Sequence, residues 1–462
     1  MSSEFRVVNP TTGDVIAEFP ESNAAKVEES ITSALQAFGP WSSTSATHRS
    51  SILRRAAELM DEQKQELAFL ATQEMGKLLT EAVAEVELCA QIFDYYATNG
   101  PKFMEDEPLS YEGAFLQRRP LGPILGIMPW NYPYYQIARF AAPNLMLGNT
   151  LIVKPAPACP ESAKKLEELL HAAGVPAGAY GTIFAGVERT AHLVTDPRIR
   201  GVSLTGSERA GAAVGALAGA QLKKHVLELG GSDPFIVLDT DDLDSVIALA
   251  AESRMENAGQ ACSSPKRFIV ADPLYDKFVE GLKVQLESYL PGDPLDPSTR
   301  LAPMSSTSAA RSLVSQINGA IASGARLHTG GKISGSAFVS PALLTDIRPG
   351  TRAYSEELFG PVAVVYRAKD EDDAVRLAND SPYGLGASIF TGDAELAERV
   401  AEQLEVGMVS VNQLPPSSAE LPFGGIKNSG VGRELGPLGM DEFVNRKLVV
   451  KGKRPAGTPI LP

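Results

Sequence analysis

From Pro120 onward the chain alternates short apolar runs with amphipathic segments, and this alternation restricts the fold more than any other feature. In order come PILGIM, Tyr135–Leu147, TLIVK, Glu161–Ala173, GTIFAG, Glu188–Val194, GVSLTG and Ser207–Ala218. Short apolar runs bounded by glycine or proline read as strands buried on both faces, and a helix between two of them returns the chain so that they lie parallel. The predicted fold class is α/β with a doubly wound, mostly parallel sheet. A second series starts near Pro234 with FIVL. It continues with a helix capped around Asp241 that carries Leu243, Val246, Ile247 and Ala250 at helical spacing, then RFIV. The helices Tyr275–Tyr289 and Ala309–Ser323 follow, with later α/β units up to Val411. The boundary between the two series falls near residues 229–234, where ELGGSDP supplies glycines and a proline.

Before Pro120 the grain differs. From Ala24 to Tyr96 the pattern is helical, with Val27, Ile31 and Leu35 at i, i+4 and i+8, as in scaffold helices. Between Phe103 and Gln117, two strands around Tyr111-Glu112-Gly113 carry few core residues and read as an arm. The segment Arg446–Lys451 is expected to return to that arm as a strand, and pairing across subunits would bury its edge. A homodimer or a dimer of dimers is therefore expected. At 462 residues the chain has room for two or three domains of roughly 100–200 residues each.

Charge and cysteine content remove whole classes of partner. Lys plus Arg number 42 against 56 Asp plus Glu, a formal net charge of −14. Such a surface repels nucleic-acid phosphates and anionic lipid, so neither nucleic acid nor membrane is an expected partner. No apolar run approaches the ~18–20 residues of a membrane span, and the start MSSEFRVVNPTTGD lacks an export-signal pattern. Cys89, Cys159 and Cys262 are odd in number and lack C-x-x-C spacing. A disulfide framework, a Cys-rich zinc site or any other metal site is not expected, and a reducing, cytoplasmic setting fits.

Cys262 lies in NAGQACSSPKR, a glycine-containing connection between a helix ending near Met255 and the strand RFIV. A loop held between rigid elements is where nucleophiles are presented, but position alone leaves a buried inert thiol equally open. Cys89 and Cys159 sit on or beside helical patterns and read as core. The five histidines fall in helix or strand contexts away from glycine-rich turns, which leaves a carboxylate as candidate base. Glu228 ends a strand just before Gly230-Gly231, where it either projects into a cleft or is a solvated or ion-paired residue. Asn131 follows the strand PILGIM within PWNYP, and its amide either donates to a developing oxyanion or satisfies the turn. Gly201 to Gly211 runs from strand into helix, so that the helix N-terminus could face a pyrophosphate. The spacing matches neither G-x-G-x-x-G nor a P-loop.

These segments together resemble the aldehyde dehydrogenase superfamily over essentially the whole chain. The matching pieces, in order, are NPTTG, PWNYP, LIVKP, LTGS, LELGG, NAGQAC, EELFGPV, PFGGIKNSG and GREL. Within it the chain is most similar to bacterial succinate-semialdehyde dehydrogenases, particularly through YYQIARFAAPNLMLGNT. The resemblance implies two doubly wound Rossmann-like α/β domains plus a small β oligomerisation arm. It assigns residues 1–102 and 121–230 to an NAD(P)-binding domain, 231–435 to a catalytic domain, and 103–120 and 436–462 to the arm. It implies Cys262 as the nucleophile, Asn131 with the Cys262 N–H as the oxyanion hole, and Glu228 as the base that activates water. It places Trp130, Lys154, Pro157, Gly206, Ser207, Leu229, Glu357 and Phe359 at the cofactor, with Lys154 at the adenosine ribose and Glu357 at the nicotinamide ribose.

Specificity is read from departures within this pattern. NAD-preferring relatives carry a Glu three residues after the lysine; Pro157 stands there, so NADP is the expected cofactor and NAD the alternative. Arg139 falls where semialdehyde enzymes bind the distal carboxylate, the other reading being an ordinary salt bridge. Ser417 and Ser418 fall at the carboxylate-contacting loop. Some relatives have an arginine six residues before the cysteine, whereas this chain has Glu256; Arg254 is two residues off. Ser264 stands where certain relatives carry a second, redox-active cysteine, so no disulfide switch is expected. The expected reaction is NAD(P)-dependent oxidation of succinate semialdehyde, with other small aliphatic or aromatic aldehydes as the alternative. A cysteine hydrolase or a non-catalytic nucleotide binder would not need Cys262, Glu228 and Asn131 together with a cofactor cleft.

Overall fold

The computed structural model describes residues 4–452; the first three residues and the last ten, which include the end of the expected arm, lie outside the described residues. The predicted doubly wound α/β class is what the chain adopts, in two large sheets, a three-stranded one and three two-stranded ones among the described residues. The first sheet has six strands in the order Gly430–Val431, Lys224–Glu228, Gly201–Thr205, Pro123–Ile127, Thr150–Lys154 and Tyr180–Thr182. All neighbours are parallel except Gly430–Val431, which runs antiparallel to Lys224–Glu228. The chain starts in the centre at Pro123–Ile127, winds outward to one side, then returns to build the other. The loop after Pro123–Ile127 and the turn after Gly201–Thr205 therefore diverge at a switch point, where open α/β sheets bind ligands.

The intervening helices run Tyr135–Leu147, Pro160–Ala173, Val187–Thr195 and Glu208–Ala220. They agree with the sequence reading to within one or two residues, and the shifts follow from caps. Ser207, expected inside its helix, is the N-cap and accepts from the Ala210 N–H at 3.3 Å. Asp242 rather than Asp241 caps the helix Leu243–Met255, accepting from the Ser245 N–H at 3.1 Å.

The second sheet has seven strands in the order Arg326–Thr329, Ala342–Thr345, Val362–Ala368, Arg267–Ala271, Pro234–Val237, Gly386–Phe390 and Met408–Val411. Only Arg326–Thr329 is antiparallel to its neighbour. The small third sheet joins Val444–Val450, Ala114–Pro120 and Glu107–Pro108. The C-terminal strand returns to the arm in register from Ala114↔Val450 to Pro120↔Val444, its outer edge taking no partner among the described residues, with Leu448 and Val450 exposed. Several short strands escaped the sequence reading, the N-terminal pair among them. Phe5–Val8 and Val15–Phe19 form an N-terminal hairpin whose buried Phe5 packs on Phe184 at 5.2 Å; its alternation is too short to stand out beside the helical stretch that follows.

A glycine in a central strand weakens it unless something approaches closely. At Gly126 that neighbour is the helix Tyr135–Leu147: an added Cβ would lie 2.6 Å from the Phe140 ring and 2.8 Å from Met128 Cε. The missing side chain lets this helix settle against the sheet and so sets the height of the loop that precedes it. Gly126→Val is expected to overpack this contact by about 1–3 kcal/mol and lower the midpoint of thermal unfolding. An unchanged midpoint would show that the helix has slack.

Candidate active site

The site forms where the carboxyl edge of the first sheet meets the amino edge of the second. Glu228 ends a strand of the first sheet, whereas Cys262 precedes the strand Arg267–Ala271 of the second. The helix Leu243–Met255 gives way to a turn in which Asn257, Ala258 and Gly259 are all left-handed, with φ of 49°, 52° and 72°. Two consecutive non-glycine residues in that region are costly, and the surroundings hold them there. The Asn257 side-chain amide donates to the Asn131 carbonyl at 2.9 Å and the Gln260 carbonyl at 3.3 Å. A Cβ on Gly259 would collide with the Gly360 backbone.

Two buried cations then fix the loop through its carbonyls. Arg254 donates to Val362 O at 2.8 Å, Leu358 O at 2.8 Å, Gly259 O at 3.3 Å and Ser264 Oγ at 2.8 Å, and also to Gly360 O. The arginine two residues from the expected substrate position therefore serves the scaffold. Ser264 in turn donates to Ser253 O at 2.8 Å. Lys266 Nζ donates to the carbonyls of Ala261, Cys262 and Ser264 at 2.9, 2.9 and 3.1 Å, and pairs with Glu357 at 3.1 Å.

Asn131 is buried, and its side-chain N–H₂ donates to Gln260 O at 3.0 Å. An amide nitrogen has two hydrogens, so one orients the group and the other remains for a substrate oxygen. Glu228 is buried with neither carboxylate oxygen hydrogen-bonded. It fits because Gly424 has no side chain: a Cβ there would lie 2.6 Å from Glu228 Oε1. Burial pushes the Glu228 carboxyl well above the usual carboxylate range, against the pull of Arg139. Burial likewise pushes the Cys262 thiol up to about 11, with Arg139 and Lys266 opposing. Cys262 is partly exposed, in contrast to Cys89 and Cys159 in the core.

Arg139 is fully buried, packed between the Tyr135 and Phe423 rings and ion-paired to Glu434. This is the salt-bridge arrangement, and the guanidinium charge is met inside the protein. Glu256 is exposed and accepts from the Tyr132 hydroxyl at 2.8 Å. Ser417 is exposed and Ser418 half-buried, its hydroxyl accepting from the Glu420 N–H at 3.3 Å.

Among the residues expected at the cofactor, Trp130 packs on Phe359 and Glu357 pairs with Lys266. Glu357 accepts from the Gly231 N–H at 3.2 Å, and a Cβ on Gly230 would lie 2.5 Å from its other oxygen. Phe359 meets Trp130 edge-on at 5.8 Å. Leu229 fills the space left by the missing side chain of Gly211. A Cβ on Gly206 would meet only Leu204, at 3.7 Å, so the turn before the helix Glu208–Ala220 is open in front of its N-terminal amides. Lys154 lies over the Phe5 ring at 5.6 Å, and burial lowers its pKa. Pro157 O accepts from the Arg6 N–H at 3.1 Å, and no carboxylate stands at that position. An open helix N-terminus, a part-buried ammonium and an apolar Pro157 fit a dinucleotide that carries an additional phosphate.

The Aldehyde dehydrogenase family model matches residues 1–449. This chain belongs to the aldehyde dehydrogenase family. It is 54% identical, over 96% of its length and 94% of the relative's, to a protein of Deinococcus radiodurans named succinate-semialdehyde dehydrogenase [NADP(+)]. It is 40% identical, over 96% and 97%, to the Escherichia coli protein named succinate semialdehyde dehydrogenase [NAD(P)+] Sad. The crystal structure of succinic semialdehyde dehydrogenase from Streptococcus pyogenes in complex with NADP+ superposes with a TM-score of 0.95 at 40% identity, covering 97% of this chain and 100% of that one.

Against this family fold, the sequence reading missed the residues that hold the reacting groups: Asn257, Gln260, Lys266, Glu434 and Ser429. Ser429 Oγ donates to Gly230 O at 2.8 Å and its carbonyl accepts from the Leu229 N–H at 2.9 Å, fixing the end of the Glu228 strand. Four of the five lie inside the matching motifs and Lys266 lies just beyond NAGQAC, but nothing in their spacing distinguishes a loop brace from a reacting group. Histidines bond elsewhere, His171 to Val175 O and His328 to Thr345, and no metal-ligand cluster occurs among the described residues. In the cofactor-free protein, alkylation of Cys262 followed by peptide mass spectrometry is expected to accelerate steadily above about pH 8, because thiolate stays minor until about 11. Arg139→Gln removes the opposing cation named first and is expected to slow alkylation at about pH 8. A rate plateau near the ordinary thiol pKa of about 8.5 would contradict this.

Proposed function

We propose that this aldehyde dehydrogenase oxidises succinate semialdehyde to succinate with NADP+, the reading supported most directly by its 54% identity to the Deinococcus radiodurans enzyme so named. Cys262, Asn131 and Glu228 are the groups we assign to the chemistry. The Cys262 sulfur attacks the aldehyde carbon and its proton passes to Glu228, whose raised pKa and unpartnered oxygens suit it as an acceptor. The oxygen of the resulting thiohemiacetal is held by the free Asn131 N–H and the Cys262 N–H. NADP+ supplies the hydride acceptor. Once Glu228 has released the thiol proton to solvent, the thioester left on Cys262 is cleaved by water that gives a proton to the carboxylate, and Glu228 returns this proton to the departing sulfur.

Lys154, Gly206 and Ser207 would hold the phosphates and adenosine ribose, and Glu357, steadied by Lys266, the nicotinamide ribose, with Trp130, Phe359 and Leu229 lining the cleft. Pro157 leaves the adenosine ribose without a repelling acid. NADP+ is thus preferred, and Pro157→Glu is expected to shift the preference toward NAD+. Equal or higher kcat/KM with NAD+ in the unmodified enzyme would overturn the preference.

The substrate carboxylate is met by Ser417 and Ser418. Because Glu434 already neutralises Arg139 and Glu256 faces solvent nearby, the second reading is an enzyme of other small aliphatic or aromatic aldehydes. The decisive comparison is kcat/KM for succinate semialdehyde against butanal. On the first reading the acid wins by orders of magnitude, and Ser417→Ala with Ser418→Ala cuts that lead by about tenfold or more, since a hydrogen bond to a charged group is worth about 1.5–3 kcal/mol. Butanal equal or better makes the second reading correct.

No helix among the described residues is long and apolar enough to cross a membrane, and the three cysteines are unpaired; we place the enzyme in the cytoplasm. The open edge of Val444–Val450 supports assembly as a homodimer or a dimer of dimers. Sedimentation is expected to show no monomer at micromolar concentration, and a monomer alone would refute the assembly.

A further inference from the structure

The helix Leu79–Phe103 carries two carboxylates one turn apart on the face turned to the active site, and each takes backbone N–H groups from a different loop. Glu85 accepts from Tyr134 and Tyr135 at 2.8 and 3.0 Å, anchoring the start of the helix that follows the Asn131 loop. Glu81 accepts from the Asn257 N–H at 2.9 Å, at the first of the left-handed residues before Cys262. Its second oxygen is buried with no hydrogen-bond partner. Lys77, fully buried, pairs with Glu85 and lies 3.5 Å above the Tyr132 ring. One helix thus grips the Asn131 loop from the first sheet and the Cys262 loop from the second.

Asn257 is the joint between those loops. Its amide reaches both the Asn131 carbonyl and the Gln260 carbonyl, and Gln260 O is the acceptor that orients the Asn131 side chain. Without an acceptor for the Asn257 N–H, the turn keeps its side-chain bonds but loses a backbone tie against relaxation out of the left-handed region. We propose that Glu81 is a positioning residue for the oxyanion hole, holding Asn257 so that Asn131 presents its free N–H to the substrate oxygen, without itself touching substrate. The inference rests on Asn131 acting as proposed above.

The electrostatics give this role a pH signature. Burial pushes Glu81 up to about 7, the Asn257 N–H and Lys77 pulling it down and Glu256 pushing it further up. The groups facing it are Lys77 and Glu85 on its own segment, Tyr132 from the Asn131 loop, Glu256 from the cysteine turn and Tyr289 just after the helix Asp272–Glu287. Above about 7 the ionised carboxylate grips the N–H strongly; below it the neutral acid accepts more weakly.

The test is a double-mutant cycle on kcat/KM of the full-length enzyme with succinate semialdehyde or butanal, whichever is the better substrate, and NADP+. Glu81→Ala is expected to lower kcat/KM about tenfold in the wild-type background and less than about twofold beside Asn131→Ala, because the two act as a unit. Glu81→Gln, which keeps an acceptor oxygen, is expected to restore most of the loss. The ratio of wild type to Glu81→Gln should rise between about pH 6 and 8 as Glu81 ionises. Equal losses in both backgrounds, no rescue by Gln, or a flat ratio would overturn the proposal. Asn131→Ala with undiminished kcat/KM would overturn the oxyanion-hole reading itself, and Glu81 with it.

Discussion

Buried cations spent on backbone carbonyls are what the active site depends on. The loop before the strand Arg267–Ala271 has no regular structure, so its carbonyls need partners from outside the sheet. Arg254 and Lys266 supply them, gathering the oxygens of Gly259, Ala261, Cys262 and Ser264 on one side and of Leu358, Gly360 and Val362 on the other. The planar guanidinium suits a fan of acceptors at fixed angles, and the ammonium suits a tight cluster. Each charge is compensated by carbonyl dipoles, that of Lys266 also by Glu357, so the cysteine loop is braced through its own backbone oxygens.

That bracing lets desolvation dominate the reacting groups. Cys262 and Glu228 both lie where burial disfavours their charged forms, and the Arg139 guanidinium is the shared opposing influence. Glu434 holds Arg139 in place, and burial alone would have weakened that cation had the carboxylate not offset it. Burial raises the proton affinity of the Glu228 carboxylate toward that of the thiol, which would lower the cost of passing the Cys262 proton to the ionised carboxylate. The same pairing draws Arg139 away from a free role at the substrate tail.

Much of the fold was legible in the sequence. The run PILGIM, TLIVK, GVSLTG, FIVL and RFIV gave strands at or close to the observed bounds, because strands buried on both faces leave an unmistakable apolar run. The hairpin Phe5–Phe19 was not legible, since half of its residues face solvent and its buried ones answer to Phe184, far along the chain. In the site, Cys262, Glu228 and Asn131 could be singled out by residue type and loop position. Asn257, Gln260, Lys266, Ser429 and Glu434 could not, because polar residues within a motif look alike until their partners are known.

The sequence by itself determined the α/β class, the family, the residue types open to a nucleophile, a base and an oxyanion donor, and the absence of an acid at position 157, for these depend on local pattern and residue type. Only the tertiary structure decided that Arg139 is neutralised by Glu434, that Arg254 serves the scaffold, that Glu256 is bound by Tyr132, and that Glu81 reaches the turn before the cysteine. Each of those outcomes is a pairing between residues distant in the chain, in one case nearly 300 positions apart. A charge has no fixed role until folding chooses its partner, and burial then sets what that choice is worth.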